Sequence, residues 1–245
     1  MKHVLITGGS GGIGSALCEA FAEAGCSVAV HYHHSREKAE QLAARLSERF
    51  GVKAAAFCAN VADSASVSAM MDEIARTFGQ IDVLVNNAGI AQQKLFTDLS
   101  DEDWKRMTGV NLDGVFYCCR EVLRRWMLPN HSGVILNISS MWGQVGASCE
   151  VHYSASKAGV IGLTKALAKE VGLSGVRVNC IAPGVVMTDM MKGFDEATLS
   201  ALKEETPLNA LGTPKEIADA AVFLCSGKAG FITGQVLGVN GGFII

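Results

Sequence analysis

The sequence predicts a doubly wound α/β fold, a parallel seven-stranded sheet with helices on both faces, with residues 1–245 forming a single domain. Two observations carry this. Short apolar, β-branched runs alternate with amphipathic stretches along the chain, and continuous apolar strands separated by helices belong to a parallel sheet covered on both faces. The first apolar run is followed at once by a glycine-rich turn, "TGGSGGIG" (7–14), that opens the first helical stretch. No linker, repeat or low-complexity tract divides the chain.

In chain order the strands are "HVLIT" (3–7), "SVAVHY" (27–32), "KAAAFC" (53–58), "DVLVN" (82–86), "GVILNIS" (133–139), "RVNCIA" (177–182) and "QVLGVN" (235–240). Helical stretches lie between them near 12–24, 35–50, 64–78, 101–128, 151–172 and 214–226. In the fifth of these, Val160, Ile161, Leu163, Leu167 and Val171 recur at spacings of three and four, and Gly159 and Gly162 permit close packing. The stretch 187–206, "MTDMMKGFDEATLSALKEET", is Met-rich and then charged. It reads either as a mobile flap over a site or as an ordinary solvated helix.

Composition narrows the function. Hydrophobic residues make up 49% and charged residues 18%, enough for a large core and against disorder. A net charge of −3 without a basic stripe gives no nucleic-acid footprint. No run of eighteen apolar residues could span a bilayer, and the opening "MKHVLITGG" has no signal-peptide apolar region. The eight cysteines contain no Cys-x-x-Cys pair and read as reduced thiols of a cytoplasmic protein, mostly small core residues.

The turn satisfies Gly9-x-Gly11-x-x-Gly14 between a strand and a helix. There, glycines let backbone amides approach a pyrophosphate, and the helix N-terminus adds partial positive charge. The expected ligand is a dinucleotide on a Rossmann-type fold.

The same residues also read Thr7-Gly8-x-x-x-Gly12-x-Gly14, followed by "NNAG" (86–89), Asn111 in "GVNLDGVF", Ser140, Tyr153-x-x-x-Lys157 and "PGVVMTDM" (183–190). In this order the set resembles the short-chain dehydrogenase/reductase family over nearly the whole chain. The resemblance implies a catalytic group of Asn111, Ser140, Tyr153 and Lys157. Tyr153 would be general acid in ketone reduction and base in oxidation, Ser140 would hydrogen-bond the carbonyl, and Lys157 would also hold the nicotinamide ribose. Asn111 would anchor a water relay behind Lys157. Residues four apart share a helix face about 6 Å apart along the axis. A charge at ~4 Å in an effective dielectric of ~20 is worth about 4 kcal/mol. Lys157 is therefore expected to bring the Tyr153 phenol down from ~10 toward neutrality.

Cofactor contacts are expected from Gly8, Ser10, Gly11, Gly12, Ile13 and Gly14 in the turn, and from Asn87, Ala88 and Gly89 after the fourth strand. Tyr153 and Lys157 join them, with Pro183, Gly184, Val186 and Thr188 beyond the sixth strand. Asn60 and Val61 resemble the family's adenine-contacting pair. NAD-preferring relatives usually end the second strand on an acid, for the ribose 2′-OH. Here Tyr32 holds that position, and His33, His34, Ser35 and Arg36 can meet a 2′-phosphate. NADPH is the expected cofactor and NADH the alternative, since Gly11 stands where many NADP-using relatives have Arg or Lys. Strand alternation sends His31 and His33 to one face and His34 to the other. With no further ligands at useful spacing, no metal is expected.

"GASCEVHYSASKAG" (146–159) also sets Cys149, Glu150 and His152 beside Tyr153. A thiol nucleophile is one reading, and a loop that shapes the pocket is the one favoured here. "NNAGIAQQKLF", "LGTPKEIADAAVFL" and "FITGQVLGVNGG" resemble the 3-oxoacyl-acyl-carrier-protein reductases, usually tetramers of this length, which dock the acyl carrier protein through basic residues near the site entrance. Arg124 and Arg125 are present, while His131 and Ser174 stand where that group has Arg. "SSMWGQVGASCEVHYSASK" (139–157), with Trp142, Cys149 and Glu150, resembles instead the reductases of a 5-aminopentanone modification on elongation factor P, where Glu150 would pair with the substrate amine. Relatives that oxidise sugar or steroid alcohols share the motifs, whereas a non-catalytic NADP(H) sensor predicts the loss of Ser140, Tyr153 or Lys157. A homotetramer is expected, packed through 101–128, 151–172 and a buried "GGFII" terminus.

Overall fold

The computed structural model describes residues 2–188, 191, 193 and 195–245. Its seven strands form one parallel sheet: β1 (His3–Ile6), β2 (Ser27–Tyr32), β3 (Ala54–Cys58), β4 (Val83–Asn86), β5 (Gly133–Ile138), β6 (Val176–Pro183) and β7 (Val236–Val239). Their order across the sheet is β3-β2-β1-β4-β5-β6-β7. β1 thus lies between β2 and β4, where the winding reverses. Crevices at the carboxyl ends of strands open at such a point.

Period-two alternation divides the central strands between two cores. Val4 and Ile6 face one core with α1 (Gly12–Glu23), α2 (Arg36–Phe50) and a helix over Pro214–Cys225. Leu5 faces the other, with α3 (Ser64–Phe78), a helix over Gly114–Val122 and one over Val151–Val171. The Rossmann-type arrangement with helices on both faces follows directly from the apolar runs.

The expected helix 101–128 is less regular than its pattern. It runs as α4 (Asp101–Thr108), a π-helical turn at Gly109–Asp113, α5 (Gly114–Val122) and a second π turn at Leu123–Met127. A π turn inserts one residue and re-aims the side chains that follow, often at functional sites. A short α6 (Trp142–Val145), which the pattern does not reveal, precedes α7 (Val151–Val171). Within 187–206 the structure has a solvated helix, α8 (Glu196–Glu204), N-capped by Asp195; Asp189, Met190, Lys192 and Phe194 lie outside the described residues. α9 (Pro214–Cys225) opens with Pro214 after a Thr213–Glu216 capping box.

All eight cysteines are free, and Cys18, Cys118, Cys119, Cys180 and Cys225 are buried. Burial raises the pKa of each of these five thiols. Among the described residues no helix is long and apolar enough to cross a membrane, and no group of three or more His, Cys, Asp or Glu could hold a metal.

Candidate active site

The glycine turn is shaped by contacts that a side chain would destroy. Gly8 has φ +64°, and a Cβ there would lie 2.9 Å from Ala88 Cα. A Cβ on Gly14 would lie 2.0 Å from the Gly8 carbonyl oxygen, and one on Gly12 would lie 2.8 Å from Thr188 Cγ2. Thr7 joins this turn to the end of β4, its hydroxyl accepting the N–H groups of Asn87 and Ala88 at 3.0 Å each. Asn87 returns its side-chain amide to the carbonyls of Thr7 (3.0 Å) and Gly8 (3.2 Å). α1 begins without a side-chain cap or an acid in its first turn, so its free amides face the turn unopposed. Beside it, Ser10, Gly12, Met187, Thr188 and Met191 line a cleft of about 730 Å³. A side-chain-free cradle at a helix N-terminus fits a dinucleotide pyrophosphate.

Past β2 the chain meets the place expected for the adenosine. Tyr32 is buried, with Cys58, Arg36 and Glu40 acting on its hydroxyl. His33 and His34 lie beyond the strand end, so strand alternation no longer applies. Their rings touch in a tilted contact, with centroids 3.7 Å apart and planes 40° apart, instead of parting to opposite faces. The exposed Arg36 pairs with Glu40 at 2.8 Å. Asn60 Oδ1 accepts from Ala62 N at 3.1 Å, and Val61 is buried, packed over Gly114. His31 is not grouped with the other two histidines. It is buried, with Nδ1 accepting from Gly8 N at 2.9 Å and Nε2 donating to Ala59 O at 3.0 Å.

The four residues expected to be catalytic converge at the ends of β4 and β5. α7 sets Tyr153 and Lys157 one turn apart, with Nζ 5.8 Å from the phenol ring centroid. Ser140 hydrogen-bonds the Tyr153 hydroxyl and accepts from Trp142 N at 3.1 Å. Lys157 is 4% exposed, and Nζ donates to Ile138 O at 2.9 Å. Burial lowers its pKa from 10.5 to about 8. Asn111, fully buried in the first π turn, grips the backbone after β4. Its Oδ1 accepts from Ile90 N and its Nδ2 donates to Ile90 O, both at 2.9 Å. Nδ2 also reaches Ser156 Oγ at 3.2 Å, and Ser156 donates to the Tyr153 carbonyl at 2.7 Å. Gly89 lies between Asn111 and Lys157; a Cβ there would be 3.3 Å from Asn111 Oδ1 and 3.4 Å from Lys157 Nζ.

The expected lowering of the Tyr153 pKa is reversed in the protein alone. Burial raises it, the Ser140 hydrogen bond opposes this, and the Glu150 carboxylate adds to the rise. Desolvation of the phenolate outweighs any help from Lys157, whose ammonium is bonded to Ile138.

Cys149, Glu150 and His152 serve the loop after β4. Cys149 has φ +61°, and its carbonyl accepts Lys94 N at 2.8 Å. Glu150 Oε1 accepts from Gln93 Nε2 at 3.1 Å. The buried His152 donates through Nε2 to Gln92 Oε1 at 3.1 Å, and Gln92 passes its amide to Asp103 at 2.9 Å. Lys94 bonds the same carboxylate at 2.7 Å, and its ammonium, with the Gln92 amide, holds Asp103 well below the ordinary carboxylate range. Gln92, Gln93, Lys94 and Asp103 were not singled out by sequence, although the first three sit in "NNAGIAQQKLF". Arg125 is bound to Glu121, Asp72 and Ser68, so it is not a free docking cation. Phe243 packs edge-on against Trp142 at 5.9 Å, while Ile245 is fully exposed.

Residues 8–244 match a family model described as Enoyl-(Acyl carrier protein) reductase. The chain is 42% identical over 241 residues to the 3-oxoacyl-[acyl-carrier-protein] reductase FabG of Chlamydia muridarum, covering 98% of this chain and 96% of that one. It is 42% identical to the protein of the same name from Staphylococcus aureus (strain Mu50), covering 98% and 97%, and 41% identical to that of Chlamydia trachomatis, covering 98% and 96%.

Proposed function

From a chain that belongs to the short-chain dehydrogenase/reductase family, and so is a nicotinamide-dependent oxidoreductase, we infer an NADPH-dependent reductase of 3-oxoacyl thioesters carried on acyl carrier protein. One observation carries the chemistry: the Tyr153 hydroxyl is hydrogen-bonded to Ser140 and lies one helical turn from a buried Lys157. The full-length likeness to 3-oxoacyl reductases supports the substrate class. When bound, the nicotinamide supplies a hydride.

The chain's own residues do the rest. Gly8, Gly12 and Gly14, with the free amides of α1, would hold the pyrophosphate, and Lys157 would hold the nicotinamide ribose. Ser140 and Tyr153 orient the carbonyl oxygen. As negative charge develops there, Tyr153 gives up its phenolic proton, and the Lys157 ammonium opposes the cost of the phenolate left behind. A phenol whose pKa is raised before the ligand arrives keeps that proton at neutral pH, as an acid in reduction requires. Asn111 fixes Ile90 and, through Ser156, the first turn of α7. Tyr32 in place of a carboxylate at the end of β2, next to His33, His34 and Arg36, favours NADPH over NADH, because no acid at that strand end repels the 2′-phosphate, and Arg36 already neutralises the nearby Glu40.

The test is NADPH and NADH oxidation with an acetoacetyl thioester by the wild type and Tyr153→Phe. Turnover faster with NADPH and reduced ~10²–10⁴-fold in the variant is expected. NADPH binding without turnover would contradict the substrate class.

One observation favours a second substrate. Glu150 acts electrostatically on the Tyr153 hydroxyl, and a carboxylate there suits an amine-bearing ketone such as the 5-aminopentanone group on elongation factor P. Glu150→Gln would then slow the amine-bearing ketone much more than the acyl thioester, which feels the change only through the Tyr153 hydroxyl. The exposed Phe116 on α5 and Ile245 at the terminus suit burial in a homotetramer, which light scattering checks.

A further inference from the structure

We propose that His31 is a positioning residue for the cofactor, fixing the spacing between the glycine turn and the wall that begins at Ala59. This rests on the placement of the dinucleotide at the carboxyl ends of the strands given above. His31 is 2% exposed near the carboxyl end of β2, an interior strand between β1 and β3. Its two ring bonds admit a single tautomer. The Gly8 amide can only donate, so Nδ1 must accept (2.9 Å), and the Ala59 carbonyl can only accept, so Nε2 must carry the proton (3.0 Å). Its backbone carbonyl also receives Gly9 N at 2.8 Å, while Ala59 N bonds the next carbonyl, that of Tyr32, at 3.0 Å.

One imidazole therefore spans two segments that a dinucleotide must touch together. Gly8 has a left-handed φ, and its carbonyl faces the Cβ-free side of Gly14. Ala59 leads straight into Asn60 and Val61. An apolar side chain of the same size would leave the Gly8 N–H and the Ala59 C=O without partners, and the turn would shift to find others. The neutral form suits this use: burial pushes the imidazole down to about 4 against the opposing bond to Ala59, and the charge on His33 pushes it the same way as burial.

The test compares His31→Phe with His31→Gln, whose amide keeps one acceptor and one donor. NADPH affinity is measured by fluorescence quenching, with KM and kcat measured on an acetoacetyl thioester. His31→Phe is expected to raise Kd and KM for NADPH about tenfold or more, equivalent to one or two lost hydrogen bonds, while kcat at saturating cofactor stays within about twofold. His31→Gln is expected to restore most of the affinity. Unchanged affinity in a folded His31→Phe, an equal loss in both variants, or a loss confined to kcat would overturn the proposal. Nitrogen-15 NMR of the wild type gives a reading that needs no variant. A neutral Nε2–H imidazole at pH 6 is expected, and an imidazolium there would overturn it. A wild type that binds neither NADPH nor NADH would refute the functional reading, and the NMR result would still decide whether His31 makes these bonds.

Discussion

Two buried bases stand at opposite ends of the site, and the fold treats them differently. His31, under the glycine turn, is neutral near pH 7, with both ring nitrogens bonded. Lys157, beside Tyr153, is mostly charged near pH 7 and has a backbone carbonyl as its hydrogen-bond partner. The first is architecture that costs the folded state little at neutral pH. The second is a desolvated charge, and its fall from 10.5 to about 8 corresponds to about 3 kcal/mol against folding wherever the amine is protonated. The glycine-turn end is thus held by small residues and backbone bonds, while the Tyr153 end keeps an electrostatic cost in Lys157.

Lys157→Met should break this contrast most sharply. Turnover is expected to fall by ~10²–10⁴-fold, while the unfolding free energy at pH 7 rises by up to ~3 kcal/mol, a Tm gain of several degrees by calorimetry. Lost activity together with lost stability would mean that Lys157 is an ordinary structural residue.

At the other end, Gly14→Ala pushes a Cβ toward the Gly8 carbonyl, now 2.0 Å from that position. Overpacking of this kind is expected to cost ~1–3 kcal/mol and to abolish measurable cofactor quenching. Thr7→Val removes the acceptor of two N–H groups and should cost ~1–3 kcal/mol in urea unfolding, with NADPH affinity reduced and the chemical step intact.

The pH dependence separates the two bases. Between pH 4 and 6.5 the unfolded chain binds the His31 proton and the folded chain does not, so this group makes stability rise with pH by up to ~3 kcal/mol. Lys157 produces the same sign between about pH 8 and 10.5. Urea titrations of His31→Gln and Lys157→Met should each flatten one window and leave the other.

Much of this was legible in the sequence. Apolar runs matched all seven strands to within a residue or two; the five central strands read as unbroken apolar stretches because they are buried on both faces, while β3 and β7, partly exposed at the two sides of the sheet, were legible from apolar runs of alanine or of Val and Leu. Tyr153 and Lys157 were legible because a helix brings positions four apart together. The π turn holding Asn111 was not, since five residues cannot distinguish a period of 3.6 from a slightly longer one. Long-range bonds were also hidden: His31 meets Gly8 and Ala59 at separations of 23 and 28 residues, and His152 meets Gln92 at 60. The direction of the Tyr153 shift was misjudged because spacing reveals the neighbouring charge but not the depth of burial.

The most direct test is a single-turnover experiment on the wild type and Tyr153→Phe, with NADPH bound and an acetoacetyl thioester added, together with NADPH affinities on the same samples. The account predicts hydride transfer slowed at least ~10²-fold in the variant, with NADPH affinity within about twofold of the wild type. Hydride transfer at the wild-type rate in Tyr153→Phe would contradict it.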